Sequence, residues 1–258
     1  MTADAEVDLK LDGRVALVTG GTRGLGKAIA RRLCASGCTV VLNYAHSTSD
    51  ADAAVASMVA LRGQVLASRA DISQSEEVLR LLGGIGEGYG KLDIFIHNAA
   101  IWHPMSAVHS AIEEFRAVHE LTLNPLLYGA PRLAELMVDG GTIIAISSNG
   151  ARETIPDYMG LGVAKAALES FVRYLAVEMA PAGISVNAVA TAMLDKDEAT
   201  QSAPPLSPIA QVLAARTPAG RLTRPADVAN VVALLCTREA AWLQGQVLMV
   251  DGGLSLRA

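Results

Sequence analysis

Short runs of β-branched and other apolar residues alternate with longer stretches in which apolar positions recur every three or four residues. That alternation runs the length of the chain and is the signature of a parallel sheet joined by crossover helices. Strands are expected at 14–19, 39–44, 64–68, 92–97, 142–147, 185–189 and 246–250, seven in all. The first helix carries Leu25, Ile29 and Leu33 on one face. Further helices are expected over 76–89, 113–138, 158–180 and 226–235, with that over 113–138 broken or bent where Pro125 and Pro131 remove backbone donors. The segment 195–218 departs from the pattern, being rich in Ala, Ser, Pro and charge, and reads as a substrate lid. Residues 1–13 are acidic and polar and read as a flexible tail, leaving 14–258 as one α/β domain of three layers, α/β/α.

Composition narrows the class. At 258 residues the chain can bury a sizeable core, and 51% apolar against 18% charged residues suits a sheet covered on both faces, with a subunit interface besides. A net charge of −5 without a basic cluster argues against a nucleic-acid partner, and no apolar run nears the ~20 residues that span a membrane. The start of the chain lacks the pattern of a secretory signal. Cys34, Cys38 and Cys236 sit in apolar patterns without zinc-site spacing, so reduced, buried thiols in a cytoplasmic protein are expected, with no metal.

The first candidate chemistry follows the first strand. Thr19, Gly20, Gly21, Thr22, Arg23, Gly24, Leu25 and Gly26 form a glycine-rich turn at the mouth of a helix. In a βαβ unit such a turn lets the backbone approach a pyrophosphate, which the helix N-terminus favours, so a Rossmann-like dinucleotide site is expected. The end of the second strand reads Asn43, Tyr44, Ala45, His46, Ser47 and offers no carboxylate for an adenosine ribose. Arg23 stands where it can attract a 2′-phosphate, so NADPH/NADP+ is favoured over NADH, with Tyr44, His46 and Ser47 among the cofactor contacts. Otherwise Arg23 and His46 are plain loop residues.

The second candidate chemistry is a phenol and an ammonium. Tyr158 and Lys165, six residues intervening, read as lying on one helix, where seven residues turn through about 700° and rise about 10.5 Å, leaving both on one face. A nicotinamide-dependent reductase needs such a pair: a phenol that gives its proton to a developing oxyanion, and a lysine charge that eases the transfer. Alone, such a pair is more often a surface tyrosine and a solvated lysine. The glycine turn in the same chain reverses that reading.

Over essentially its whole length the chain resembles the short-chain dehydrogenases/reductases. The glycine turn matches that family's Thr-Gly-x-x-x-Gly-x-Gly. Asp71, with Ile72 beside it, corresponds to the adenine-contacting aspartate. Asn98 and Ala99 correspond to the Asn-Asn-Ala-Gly motif, with His97 and Ala100 as departures, and Val250, Asp251, Gly252 and Gly253 are similar to the usual ending. Leu194 joins the cofactor contacts implied by the resemblance, as does Lys165 through the nicotinamide ribose.

The active-site motif departs from the common form. Ser148 matches the family serine and Lys165 its lysine, but the usual tyrosine position holds Leu161, and the phenol stands at Tyr158. This Tyr-x6-Lys spacing resembles the NADPH-dependent enoyl-acyl-carrier-protein reductases within the family. The asparagine of the usual proton relay is replaced by Thr122, with Asn124 close by. The resemblance implies Tyr158, Lys165 and Ser148 as catalytic residues, an enoyl thioester as substrate, free or carrier-bound, and a homotetramer or homodimer built on the 113–138 and 158–180 helices and the C-terminal end. Trp102, His103, Met193 and Leu206 are candidate substrate contacts, with Ile209 and Leu213 adding apolar wall. Two other functions stay open: an NADPH-dependent ketoreductase acting on a polyketide or other cyclic ketone, and a dinucleotide-binding sensor without turnover. His97 and His103 are weaker candidates for acid roles.

Overall fold

Val15 to Thr19 is buried along its whole length, as a strand covered on both faces must be. It lies inside one parallel sheet in a computed structural model that describes residues 9–195 and 207–256. The strands are β1 (Val15–Thr19), β2 (Thr39–Tyr44), β3 (Gln64–Arg69), β4 (Ile94–His97), β5 (Gly141–Ser148), β6 (Ile184–Thr191) and β7 (Val247–Val250). They lie in the order β3-β2-β1-β4-β5-β6-β7, every pair parallel. The helices are α1 (Gly24–Ala35), α2 (Thr48–Ala56), α3 (Ser75–Tyr89), α4 (Ile112–Leu136), α5 (Met159–Met179), α6 (Pro208–Arg216) and α7 (Pro225–Leu235).

Strand pleating sorts the core into two halves. On one face Leu17, Val41, Phe95, Ile143 and Val186 pack under Leu81, Leu126, Leu133, Leu168 and Val172 of α3, α4 and α5. On the other, Ala16, Val18, Leu42, Ile94, Ile96 and Ile144 pack under Ile29, Leu33, Val228 and Val232 of α1 and α7. The chain winds outward from β1 to β3 and returns to lay β4 against the other edge of β1, so the order reverses between β1 and β4. In open parallel sheets ligands bind in the crevice at that reversal, at the carboxyl ends of the strands.

All seven expected strands and the four bounded helices are present, each end within two residues of its expected position. Two expectations change. First, α4 runs unbroken through Pro125 and Pro131: each proline removes only one backbone donor, and burial of Val118, Thr122, Leu126, Leu133 and Leu136 holds the helix to its neighbours. Second, residues 9–13 are docked, since Leu11 is 2% exposed and its N–H donates to the Ser36 carbonyl, so the described part of the expected tail is fixed. Residues 1–8 lie outside the described residues. The expected lid lies partly outside them too, and its described part holds α6, which begins with Ser207 accepting a hydrogen bond from the Ala210 N–H. Among the described residues no helix is long and apolar enough to cross a membrane, and no cluster of His, Cys, Asp and Glu could hold a metal ion.

Candidate active site

The glycine turn links β1 to α1 at the sheet reversal. Gly20 (φ 60°) and Gly24 (φ 53°) take left-handed conformations that favour glycine. Gly26 is needed for room, because a Cβ there would stand 2.1 Å from the Gly20 carbonyl oxygen and 2.6 Å from Asn98 Nδ2. No side chain caps α1, and its first turn holds no acidic residue, so its N-terminus is left for an anion. Thr22 is buried, while Arg23 is exposed at the cap position, and Leu25 packs partly buried against the core. The Gly21 N–H donates to the Asn43 carbonyl, tying the turn to the end of β2. These residues fit the pyrophosphate and adenosine end of a dinucleotide.

Tyr44 is half-buried and His46 exposed just beyond β2. Ser47 has a structural duty as well, accepting the Asp50 N–H at 3.2 Å as the cap of α2. A cation not expected from sequence arrives from β3: Arg69 Nε donates to the Ala45 carbonyl at 3.1 Å, which lays its guanidinium beside the same strand end. Asp71 is exposed and accepts from the Ser73 N–H and hydroxyl. Ile72 is 3% exposed and belongs to the core. Leu194 likewise packs against the core, and its backbone bridges Thr223.

Asn98 and Ala99 at the end of β4 serve the turn. Asn98 Nδ2 donates to the carbonyls of Thr19 (3.0 Å) and Gly20 (3.2 Å), and both backbone N–H groups donate to Thr19 Oγ1. With two acceptances made, the Thr19 hydroxyl proton is directed to His97 Nδ1 at 3.1 Å. His97 is thereby the Nε2–H tautomer and donates to the Thr122 carbonyl at 2.9 Å. Burial first, and then the Lys165 charge, push its pKa down to about 3. A neutral imidazole with both nitrogens engaged is a clamp between the turn and α4, which removes His97 from the acid candidates.

Tyr158, Ser148 and Lys165 meet at the end of β5. Tyr158 is the residue before α5 rather than part of its body. Its hydroxyl donates to Ser148 Oγ at 3.2 Å, while Lys165 Nζ donates to the Ile146 carbonyl at 2.6 Å. Ile146 and Ser148 are alternate residues of one strand, about 6.6 Å apart, so phenol and ammonium address the same short stretch. Burial raises the Tyr158 pKa, a rise the hydrogen bond to Ser148 opposes, and the phenol keeps its proton. Burial lowers that of Lys165 to about 8.

Leu161 is sealed at 6% exposure against Val118 and Ala164, with Tyr158 partly buried on the same cluster. The usual tyrosine position is thus filled with hydrocarbon. Thr122 donates its hydroxyl to the Val118 carbonyl, and Asn124 turns away to donate to the Ser73 carbonyl at 2.7 Å. Both side chains are therefore committed elsewhere.

A cavity of about 450 Å³ opens beside Tyr158, lined by Met105, Gly150, Ile155, Met159 and Val163 among others. Trp102 is half-exposed and donates its indole N–H to the Asp157 carbonyl at 3.1 Å. His103 is half-buried nearby in sequence, and Met193 is 43% exposed after β6. Ile209 is exposed on α6, and Leu206 lies outside the described residues. Sequence reading also missed Glu169, one turn beyond Lys165. It is buried and accepts from Ser147 Oγ at 2.7 Å and from half-exposed Arg152 at 3.2 Å. Its spacing from Lys165 was the available signal.

Residues 20–255 match the family model described as enoyl-(acyl carrier protein) reductase. The 1-cyclohexenylcarbonyl-CoA reductase of Streptomyces collinus is 37% identical over 250 residues, which cover 95% of this chain and 88% of that protein. The 3-oxoacyl-(acyl-carrier-protein) reductase of Synechocystis sp. is 34% identical over 247 residues, covering 95% and 98%. The solved structure of a short-chain dehydrogenase/reductase from Serratia marcescens superposes with a TM-score of 0.87 at 29% identity, over 95% of this chain and 99% of that one.

Proposed function

Because the chain belongs to the short-chain dehydrogenase/reductase family of oxidoreductases, we propose that it reduces the carbon–carbon double bond of an enoyl thioester with NADPH. The observation that carries this reading is the displaced phenol: Tyr158 donates to Ser148 while Leu161 seals the usual position. In conjugate reduction the hydride lands on the β-carbon, and charge builds on a carbonyl oxygen two atoms farther on. An acid set back from the usual position suits that longer span.

When bound, NADPH would supply the hydride, and the uncapped α1 N-terminus with Arg23 and Arg69 would hold its phosphates. Lys165 in its charged form holds the nicotinamide ribose and eases proton donation by the phenol. Tyr158 gives its proton to the thioester oxygen as charge builds there and recovers one from water, Ser148 steadies the phenol or the substrate, and the enol tautomerises to the saturated thioester by exchange of its proton to the α-carbon through water. The apolar cavity beside Tyr158 suits an acyl chain or ring. Exposed Leu127 and Tyr128 on α4, and Val163, Tyr174 and Val177 on α5, support a homotetramer joined through these helices. The buried free thiols Cys34, Cys38 and Cys236 suit a reducing cytoplasm.

The relative that reduces a 3-oxoacyl substrate supports a second reading, ketone reduction, in which the same phenol protonates an alkoxide. NADPH oxidation with crotonyl and 1-cyclohexenylcarbonyl thioesters, an acetoacetyl thioester and a cyclic ketone separates the two. Turnover of the enoyl thioesters alone supports the first. Turnover of the ketones alone replaces it with the second, and tight NADPH binding without any turnover returns the sensor.

A further inference from the structure

Resting on the reading of Tyr158 as the acid, we propose that Trp102 and Gly150 are positioning residues that set where its hydroxyl stands. Tyr158 has no helix around it, lying at the cap of α5 with φ −110° and ψ 5°. The residue before it, Asp157, is held left-handed at φ 59°, a region that non-glycine residues rarely occupy. Its carbonyl is clamped from the loop after β4, receiving the Trp102 indole N–H at 3.1 Å and the Met105 N–H at 3.2 Å. Met105 pairs with Tyr158 as an isolated parallel bridge and is itself buried. It also lies on Gly160, where a Cβ would meet Met105 Sδ at 2.5 Å.

On its other side the phenol ring lies over Gly150. A Cβ at that position would stand 2.5 Å from Tyr158 Cε1 and 2.6 Å from Cδ1. Gly150 is absent from the glycines with positive φ, so an alanine there meets no backbone strain. The position therefore needs glycine for the room it leaves the ring. The ring rests from below on the Gly150 backbone, which only a glycine lets it approach, and the backbone that carries it is tied from above through Asp157.

The test is a pair of double-mutant cycles on the intact chain. Gly150→Ala pushes on the ring, and Trp102→Phe removes one N–H while keeping an aromatic side chain. Each is made with Tyr158 present and in a Tyr158→Phe background. A displacement on the order of an ångström supports an expected fall in kcat of about 10- to 100-fold for Gly150→Ala. Loss of one hydrogen bond supports a fall of about 3- to 10-fold for Trp102→Phe. In the Tyr158→Phe background both losses should shrink to about twofold or less, with the NADPH Kd unchanged throughout. Equal losses in both backgrounds, or no loss at all, overturn the inference. If Gly150→Ala fails to fold, the Trp102→Phe cycle decides alone. Full activity of Tyr158→Phe itself would instead remove the acid role on which the inference rests, a result recognisable before either cycle is closed.

Discussion

Lowering the pH from 7.5 to 5 should cost the folded protein about 2 kcal/mol through His97 alone. The imidazole is fully buried, both its nitrogens are engaged by Thr19 and Thr122, and its pKa is about 3 against an ordinary 6.5. The folded value is depressed, so below pH 6.5 the unfolded chain takes up a proton that the native state refuses, and stability falls towards pH 3. At pH 5 the unfolded imidazole is about 97% protonated, which corresponds to about 2 kcal/mol. The figure at pH 5 scarcely changes for any folded value below about 4. Replacement by glutamine keeps a donor and an acceptor in the slot but does not titrate. Urea unfolding of the two proteins at both pH values measures the effect as the difference between their pH-induced losses, so the other titrating groups cancel. An equal loss in wild type and His97→Gln would refute a neutral, clamped imidazole.

Four further outcomes are expected. Gly26→Ala forces a Cβ against the Gly20 carbonyl, so NADPH affinity measured by calorimetry should fall about 100-fold or more, about 3 kcal/mol; a change within threefold would contradict the close-packed turn. If charged Lys165 is required, kcat/KM should decline as pH rises through about 8, and Lys165→Arg should flatten that limb. The same depressed pKa means that the native state gains relative stability between about pH 8 and 10.5, where only the unfolded lysine still holds its proton. Glu169→Ala strands a buried Ser147 hydroxyl and frees a half-exposed Arg152, so urea unfolding should show a loss of about 2–3 kcal/mol. Glu169→Gln should lose less than half of that, and identical losses for the two would rule out the Ser147 hydrogen bond as the cause.

What sequence made legible was whatever periodicity and spacing encode. The inner strands β1, β4, β5 and β6 are buried almost throughout and read as apolar runs. The Tyr158 to Lys165 interval predicted two groups facing one ligand, which the structure brings together at the end of β5 with Tyr158 at the cap of α5 rather than within it. The helix α2 was missed because only Ala51 and Ala54 of its nine residues are buried, so no large apolar residue marks its period. α6 was missed because its large apolar residues Ile209 and Val212 face outward with Ala210 alone buried, in a segment whose Ala, Ser, Pro and charge read as a lid. The remaining omissions depend on distant parts of the chain meeting. Arg69 reaches Ala45 across 24 positions, and Trp102 reaches Asp157 across 55. Gly150 is visible in the sequence as a glycine, but its purpose appears only when the Tyr158 ring lies over it. Thr19, the hub of the β1–β4 junction, was read only as the start of the glycine motif.

The sheet order also dictates a sequence of assembly. β1, β2 and β3 are neighbours in space and in sequence, so a nascent chain can pair them as soon as residue 69 has emerged. Closing β4 onto the free edge of β1 must wait for residue 97, and until then the inner edge of β1 stands unpaired. Ser148, Tyr158 and Lys165 are all translated later still. During synthesis, therefore, β1 to β3 and the glycine turn can pair on the ribosome before the Ser148, Tyr158 and Lys165 cluster exists, and the edge of β1 is the surface a chaperone would have reason to shield.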